Sequence, residues 1–336
     1  MNNCKHNISG GENYAKKGGI IQRHTTMKHT ILGAGGAIGN ALAHELLKRQ
    51  ESVKLVSRSG FSMQGAETYK ADLNSYDETL KSLEGSDVAY LTAGLPYSAK
   101  IWEEKWPVIM KNTIEACKKH KVKLIFFDNV YMYGKVAGEM TENTPYKPCS
   151  KKGETRARIA LMLEEEMKSG NINAAIARAA DIYGPYSSMT SLPYIFVIAK
   201  LMQGKKAQWL VSDQKKHSFT YTLDAAKGMI LLAGNEESSG QIWHLPTAKP
   251  APSGKDFIAL ITKELNTKPK YAILKKAMIK MAGFFDKTVG EFYEMLYQNE
   301  EDYVFDSTKF NRFFNYTPQS YEEGVKETVE HIKSGR

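Results

Sequence analysis

Short unbroken apolar runs alternate with stretches of helical spacing from about residue 28 to residue 185. The runs are Thr30-Ile31-Leu32, Ser52 to Arg58, Glu67 to Ala71, Val88-Ala89-Tyr90-Leu91, Leu124-Ile125-Phe126-Phe127 and Asn173 to Arg178. Between them, residues 40–49, 75–83, 101–119 and 152–167 repeat apolar positions every three to four residues, as Trp102, Trp106, Ile109, Ile114 and Cys117 do. Such runs suit strands covered on both faces, and a helix between successive strands is the connection that parallel pairing needs. The pattern predicts an α/β fold, a doubly wound parallel sheet with helices on both faces. Past Pro185 the alternation loosens. A strand is expected at Ser218 to Tyr221, a helix over 223–233 and a strand at Gln241 to Leu245. Helices follow near 255–265 and 274–281, with a further segment at 291–297. The expected organisation is a leader over 1–26, disordered and outside the fold, and a nucleotide-binding domain over 27–185 completed by about 217–245. A smaller, mostly helical substrate-side part is formed by 186–216 and 246–336.

The stretch Gly33-Ala34-Gly35-Gly36-Ala37-Ile38-Gly39 stands between the first strand and the first helix. A strand that ends in glycines and feeds a helix aims backbone N–H groups and a positive helix end at one point, where a diphosphate docks. Gly33-x-x-Gly36-x-x-Gly39 is the spacing given weight, with Ala37 and Ile38 inside it. The second strand ends in Ser57-Arg58. An acid at that position would face a ribose 2′-hydroxyl, whereas an arginine suits a 2′-phosphate, so NADP is expected rather than NAD. Asp72-Leu73 and the small residues Thr92-Ala93-Gly94 complete the cofactor-side residues, Asp72 as an acceptor for an adenine amino group or as a turn cap.

Composition changes this picture little. Of 336 residues, 42% are apolar and 25% charged, as in an ordinary globular protein. The net charge of +9 raises a nucleic-acid reading, but Lys and Arg alternate with Glu along the helical stretches, and a small-molecule partner is expected instead. Three scattered cysteines (Cys4, Cys117, Cys149) form neither a disulfide framework nor a zinc spacing, and no spacing of histidines suggests another metal. A reducing, cytoplasmic setting is expected. No apolar run is long enough to span a bilayer, and no membrane partner is expected.

With Val130-Tyr131-Met132-Tyr133-Gly134, Arg178, Tyr183-Gly184-Pro185, Phe219 to Ala226 and the closing run from Asp306 to Pro318, these motifs stand in a fixed order. Together they resemble the extended and atypical branches of the short-chain dehydrogenase/reductase superfamily, the nucleotide-sugar epimerases and dehydratases, over about residues 28–330. The resemblance implies a Rossmann sheet binding NAD(P), a polar small-molecule substrate such as a nucleotide-linked sugar, and a homodimer through the helices flanking the Asn129 strand. It also implies a Tyr-x-x-x-Lys pair on a helix, the lysine lowering the tyrosine pKa for proton transfer.

That pair is absent here. The closest register puts Lys152 at the tyrosine and Arg156 at the lysine, and Asn129 at the preceding Ser/Thr position. A lysine beside an arginine would have a lowered pKa, or the two cations could hold an anion. Asn129 can orient a carbonyl, and Tyr131 is the nearest phenol. Asn129, Tyr131, Lys152 and Arg156 are therefore the candidate catalytic residues. Glu164, Glu165 and Glu166 read as a solvated helix face, and His217 and His244 as structural. The expectation is an NAD(P)-dependent oxidoreductase or epimerase/dehydratase-like enzyme with altered catalytic positions; a non-catalytic NAD(P)-binding module is the alternative.

Overall fold

The computed structural model describes residues 26–187 and 191–335. Apart from Thr26, the expected leader lies outside the described residues. In chain order come β1 (Lys28–Leu32), α1 (Ala37–Lys48), β2 (Ser52–Ser57), β3 (Glu67–Lys70), α2 (Tyr76–Ser82), β4 (Val88–Leu91), α3 (Ala99–His120) and β5 (Lys123–Asp128). Next are β6 (Glu139–Met140), α4 (Lys151–Lys168), β7 (Ala174–Arg178) and β8 (Asp181–Tyr183). A π-helical segment (Tyr194–Ile198) runs into α5 (Ala199–Met202), followed by β9 (Ala207–Leu210), β10 (Phe219–Tyr221), α6 (Thr222–Ala233) and β11 (Ile242–His244). The chain closes with α7 (Gly254–Glu264), β12 (Tyr271–Leu274), α8 (Lys276–Gly283), α9 (Lys287–Tyr293), β13 (Val304–Phe305), α10 (Thr308–Phe313) and α11 (Tyr321–Lys333).

Seven strands make one parallel sheet in the order β11-β7-β5-β4-β1-β2-β3. This is the doubly wound, Rossmann-type sheet that the pattern predicts. Alternate residues on each strand serve opposite faces. Leu32, Leu91, Leu124, Phe126 and Ile176 pack with Trp106, Ile109, Ile159 and Leu163 of α3 and α4. Their neighbours Ile31, Tyr90, Ile125 and Ala175 pack with Leu42, Leu46, Met229 and Leu232 of α1 and α6. The strand order reverses between β1 and β4, which opens a crevice at their carboxyl ends.

Local signals start the helices where the spacing does. Ser75 and Ser150 accept from the backbone N–H groups of Glu78 and Gly153, and Ser253 with Asp256 forms a capping box on α7. Past β8 the chain builds a second core from Val197, Trp209, Phe219, Phe257, Ile261 and Tyr321. Three two-stranded parallel pieces (β8 with β10, β9 with β12, β6 with β13) tie this part together. The helix expected from Leu274 begins at Lys276. Tyr271–Leu274 is instead strand β12, because its four residues pair along β9. Among the described residues no helix is long and apolar enough to cross a membrane.

Candidate active site

The chain leaves β1 at Gly33, whose φ of +99° is open to glycine. A Cβ there would lie 2.3 Å from Ala93 Cα, so β1 and β4 approach too closely for any side chain. Gly36 differs. It is the exposed N-cap of α1, its backbone is extended, and a Cβ would meet nothing closer than Gly33 O at 3.8 Å. The protein's own packing does not require glycine at that point. The open space lies over the first N–H groups of α1, which lack intrahelical partners, with Ala37, Ile38 and Gly39 buried behind them. These residues fit the diphosphate of a dinucleotide.

The other cofactor-side residues share this rim. Thr92 is buried and donates to Leu32 O at 3.3 Å; half-buried Ala93 and exposed Gly94 follow it. Ser57 Oγ accepts from Phe61 N at 2.8 Å, tightening the turn that exposes Arg58. Asp72 Oδ1 accepts from Asn74 N (3.0 Å) and Nδ2 (2.7 Å), so its carboxylate is also the turn cap. The Asn74 backbone bond, with help from the Arg58 charge, holds Asp72 below the usual carboxylate range. Leu73 is buried beside it and its carbonyl accepts from Asn112 Nδ2 at 3.0 Å.

Each of the four catalytic candidates is bonded or stacked within the protein. Asn129, just past β5, donates its N–H to Asp128 Oδ1 at 2.9 Å, and its side-chain oxygen accepts from Tyr131 N at 3.1 Å. Tyr131 lies stacked on Trp102, with ring centroids 6.2 Å apart. Burial raises its pKa well above the ordinary phenol value. Lys152 and Arg156 do not act as a pair of cations, because each has carboxylates of its own. Lys152 Nζ is fully buried and donates to Glu291 Oε2 and, at 3.0 Å, Glu291 O on α9, to Glu294 Oε1 at 2.8 Å just past it, and lies 4.5 Å from the Tyr97 ring. Arg156 Nε donates to Asp128 Oδ1 at 2.8 Å, and its guanidinium stacks on Trp106 at 4.6 Å. Neither is available to an external anion in this arrangement.

Asp128 binds a second arginine, Arg178, at 3.4 Å through Oδ2. Arg178 donates onward to the hydroxyls of Tyr133 (2.8 Å) and Tyr146. Tyr133 donates to His244 Nε2 at 2.8 Å, and His244 Nδ1 to Asp306 O at 2.8 Å. Burial, then the Arg178 charge, lowers His244 to about 3, so it is the neutral acceptor this chain of bonds requires. Tyr146 also donates to Glu164. Glu164 is therefore not part of a solvated face but the end of a buried polar network. Ser150 Oγ accepts from Gly153 N at 3.0 Å and caps α4.

The profile of the NAD dependent epimerase/dehydratase family matches residues 29–245, which span the whole seven-stranded sheet. The chain belongs to that family. It is 25% identical over 248 residues to the uncharacterized UDP-glucose epimerase YtcB of Bacillus subtilis, covering 67% of this chain and 78% of that one. It is 25% identical over 335 residues to a UDP-N-acetyl-alpha-D-glucosaminuronate decarboxylase of Bacillus cytotoxicus, covering 90% and 97%. Among solved structures, a UDP-glucuronic acid 4-epimerase of Bacillus cereus with NAD superposes with a TM-score of 0.75 at 21% identity, over 92% of this chain and 99% of the other. A dTDP-glucose 4,6-dehydratase of Bacillus anthracis with NAD gives 0.76 at 15% identity, over 92% and 97%. At these identities the two structures show a shared fold.

Within this epimerase/dehydratase frame, a small recess opens beside β8, lined by Asp181, Pro193, Phe196, Trp209, His217 and Asn299 among others. His217 Nε2 lies 2.9 Å from Asp181 Oδ2, while its buried Nδ1 has no hydrogen-bond partner among the described residues. His217 stacks on Tyr303, whose hydroxyl donates to Val130 O at 3.3 Å, so the recess adjoins the segment just past β5. Asp181 and His217 stand 36 residues apart in sequence, and no spacing signal announces the pair.

Proposed function

We propose that the protein is an NAD(P)-dependent enzyme of the cytoplasm that acts on a nucleotide-linked sugar, with Lys152 standing where its family carries a tyrosine. In this reading residues 27–185 with 217–245 hold the cofactor, and 186–216 with 246–336 hold the substrate. The observation that carries it is the position of Lys152 Nζ, two aromatic rings from the recess. Lys152 lies on Tyr97, Tyr97 contacts Phe292 at 5.0 Å, and Phe292 contacts the recess residue Phe196 at 6.1 Å. The UDP-sugar names of the Bacillus relatives support the substrate class.

A nicotinamide dinucleotide held by its diphosphate on the glycine turn would supply hydride transfer to a carbonyl carbon of the substrate, or accept a hydride in the reverse direction. Lys152, once released by Glu291 and Glu294, would give a proton to the carbonyl oxygen as the hydride arrives, and its neutral amine would take that proton back in the oxidising direction. The Asn129 amide orients the same oxygen, and Arg156 stays on Asp128 as a positioning residue. Aromatic walls such as Trp209 suit a base, and Asn299 and the unpartnered His217 Nδ1 suit polar groups of the nucleotide. Replacing Lys152 by Met should lower NAD(P)-linked turnover of a UDP-hexose panel by about 10²–10⁴-fold while leaving dinucleotide binding, read by fluorescence, unchanged. Turnover within a few-fold of the wild type, by about the same assay, would overturn the assignment.

For the cofactor we favour NADP. The solved neighbours carry NAD, but β2 here ends in Ser57-Arg58 with an exposed guanidinium and no acid at that position. Arg58→Ala should weaken NADP binding by about 10–100-fold in calorimetry and NAD binding by about twofold or less. Equal losses for both dinucleotides would contradict it. We also propose a homodimer through α3 and α4, supported by Val108 (42% exposed) and Leu161 (51% exposed) on their outer faces. Light scattering should give twice the chain mass, and Val108→Glu with Leu161→Glu should give one chain; a monomeric wild type would refute the dimer.

A further inference from the structure

The net charge of +9 is not spread evenly. Residues 268–287 contain six lysines (268, 270, 275, 276, 280 and 287) against one acid, Asp286, a net +5, which leaves +4 for the other residues of the chain. All six lysines are exposed, and among the described residues only Lys276 pairs with a carboxylate, that of Glu300. The same segment carries four of the large exposed apolar side chains: Met278 (49%), Met281 (63%), Phe284 (81%) and Phe285 (90%). Met278 and Met281 stand three residues apart on α8 and Phe284 and Phe285 follow in the turn just past it, while Ile279 is the buried residue of the helix.

This cluster is presented by a tight hairpin. A Cβ on Gly283 would come within 2.9 Å of Gly290 Cα, so α8 and α9 cross in near backbone contact and hold the Phe284-Phe285 tip outward. Glu291 and Glu294 turn away to bind Lys152, and Asp286 at the tip is the cap of α9. The result is an exposed apolar tip with Lys280 and Lys287 beside it and Lys275 and Lys276 at the start of α8. A second copy of this chain is a poor occupant, because a two-fold contact would set one +5 cluster against another. Nucleic acid answers the lysines but leaves two phenylalanines in water. An anionic lipid surface answers both, with phosphate headgroups for the lysines and an acyl boundary for the rings.

We propose that the α8–α9 tip docks the protein peripherally on membranes containing anionic lipid, with Phe284 and Phe285 entering the headgroup boundary. Docking would also bring the recess, which Phe292 of α9 touches through Phe196, up to the lipid surface.

The full chain should co-sediment with vesicles of phosphatidylcholine plus phosphatidylglycerol, less so at high salt, and stay in solution with phosphatidylcholine alone. Phe284→Ser with Phe285→Ser should weaken the partition by about tenfold or more, and each of Lys275→Gln, Lys280→Gln and Lys287→Gln by about fivefold. Dinucleotide binding and circular dichroism of the variants should match the wild type, since every altered side chain is exposed. The proposal fails if the wild type ignores anionic vesicles, or if the double serine variant partitions equally well. It also fails if that variant merely turns a dimer into a monomer in light scattering, or if duplex DNA is retained undiminished by it.

Discussion

Asp128 sits at the carboxyl end of β5, fully buried, with a guanidinium on each side. Charges so far from water are tolerated only when each has a well-placed opposite and its remaining polar atoms are bonded. That requirement fixes much of the site. Arg156 must come from α4, Arg178 from β7, and the residual donors of Arg178 must find Tyr133 and Tyr146. Tyr133 then needs His244 on β11, so one carboxylate clamps three neighbouring strands and a helix into register. The segment that carries Asn129 and Tyr131 hangs directly from this clamp through the Asn129 N–H bond to Asp128.

The same clamp accounts for what Arg156 does on α4. An arginine at 156 is engaged by a protein carboxylate, and its flat face is stacked between aromatic rings of α3 and β5. It therefore holds the end of the strand. Lys152, one turn earlier, is left to Glu291 of α9 and Glu294 just past it, which neutralise it. The glycine turn thus rests on backbone geometry, whereas the Lys152 side rests on the segment that carries Glu291 and Glu294.

Much of the frame was legible because its cause is local. Unbroken runs such as Leu124 to Phe127 can only be covered on both faces, and Gly33 needs no partner to declare a positive φ. The short pairs β6 with β13 and β9 with β12 were not legible, since two to four residues carry no readable period and their partners lie far along the chain. The ion network was hidden for the same reason. Arg178 meets Asp128 across 50 residues, and Lys152 meets Glu291 across 139. Glu164 looked solvated because two more glutamates follow it, although helix rotation puts it alone beside Tyr146. The lysine excess in 268–287 could be counted in the sequence, but it gained meaning only when α8 turned its methionines and phenylalanines outward.

The central claim is that the buried Asp128 charge holds the site together, and replacing Asp128 with Ala tests it most directly by leaving Arg156 and Arg178 without their shared partner. Urea denaturation should show a loss of about 3–5 kcal/mol relative to the wild type. A variant that unfolds within about 1 kcal/mol of the wild type would contradict the account.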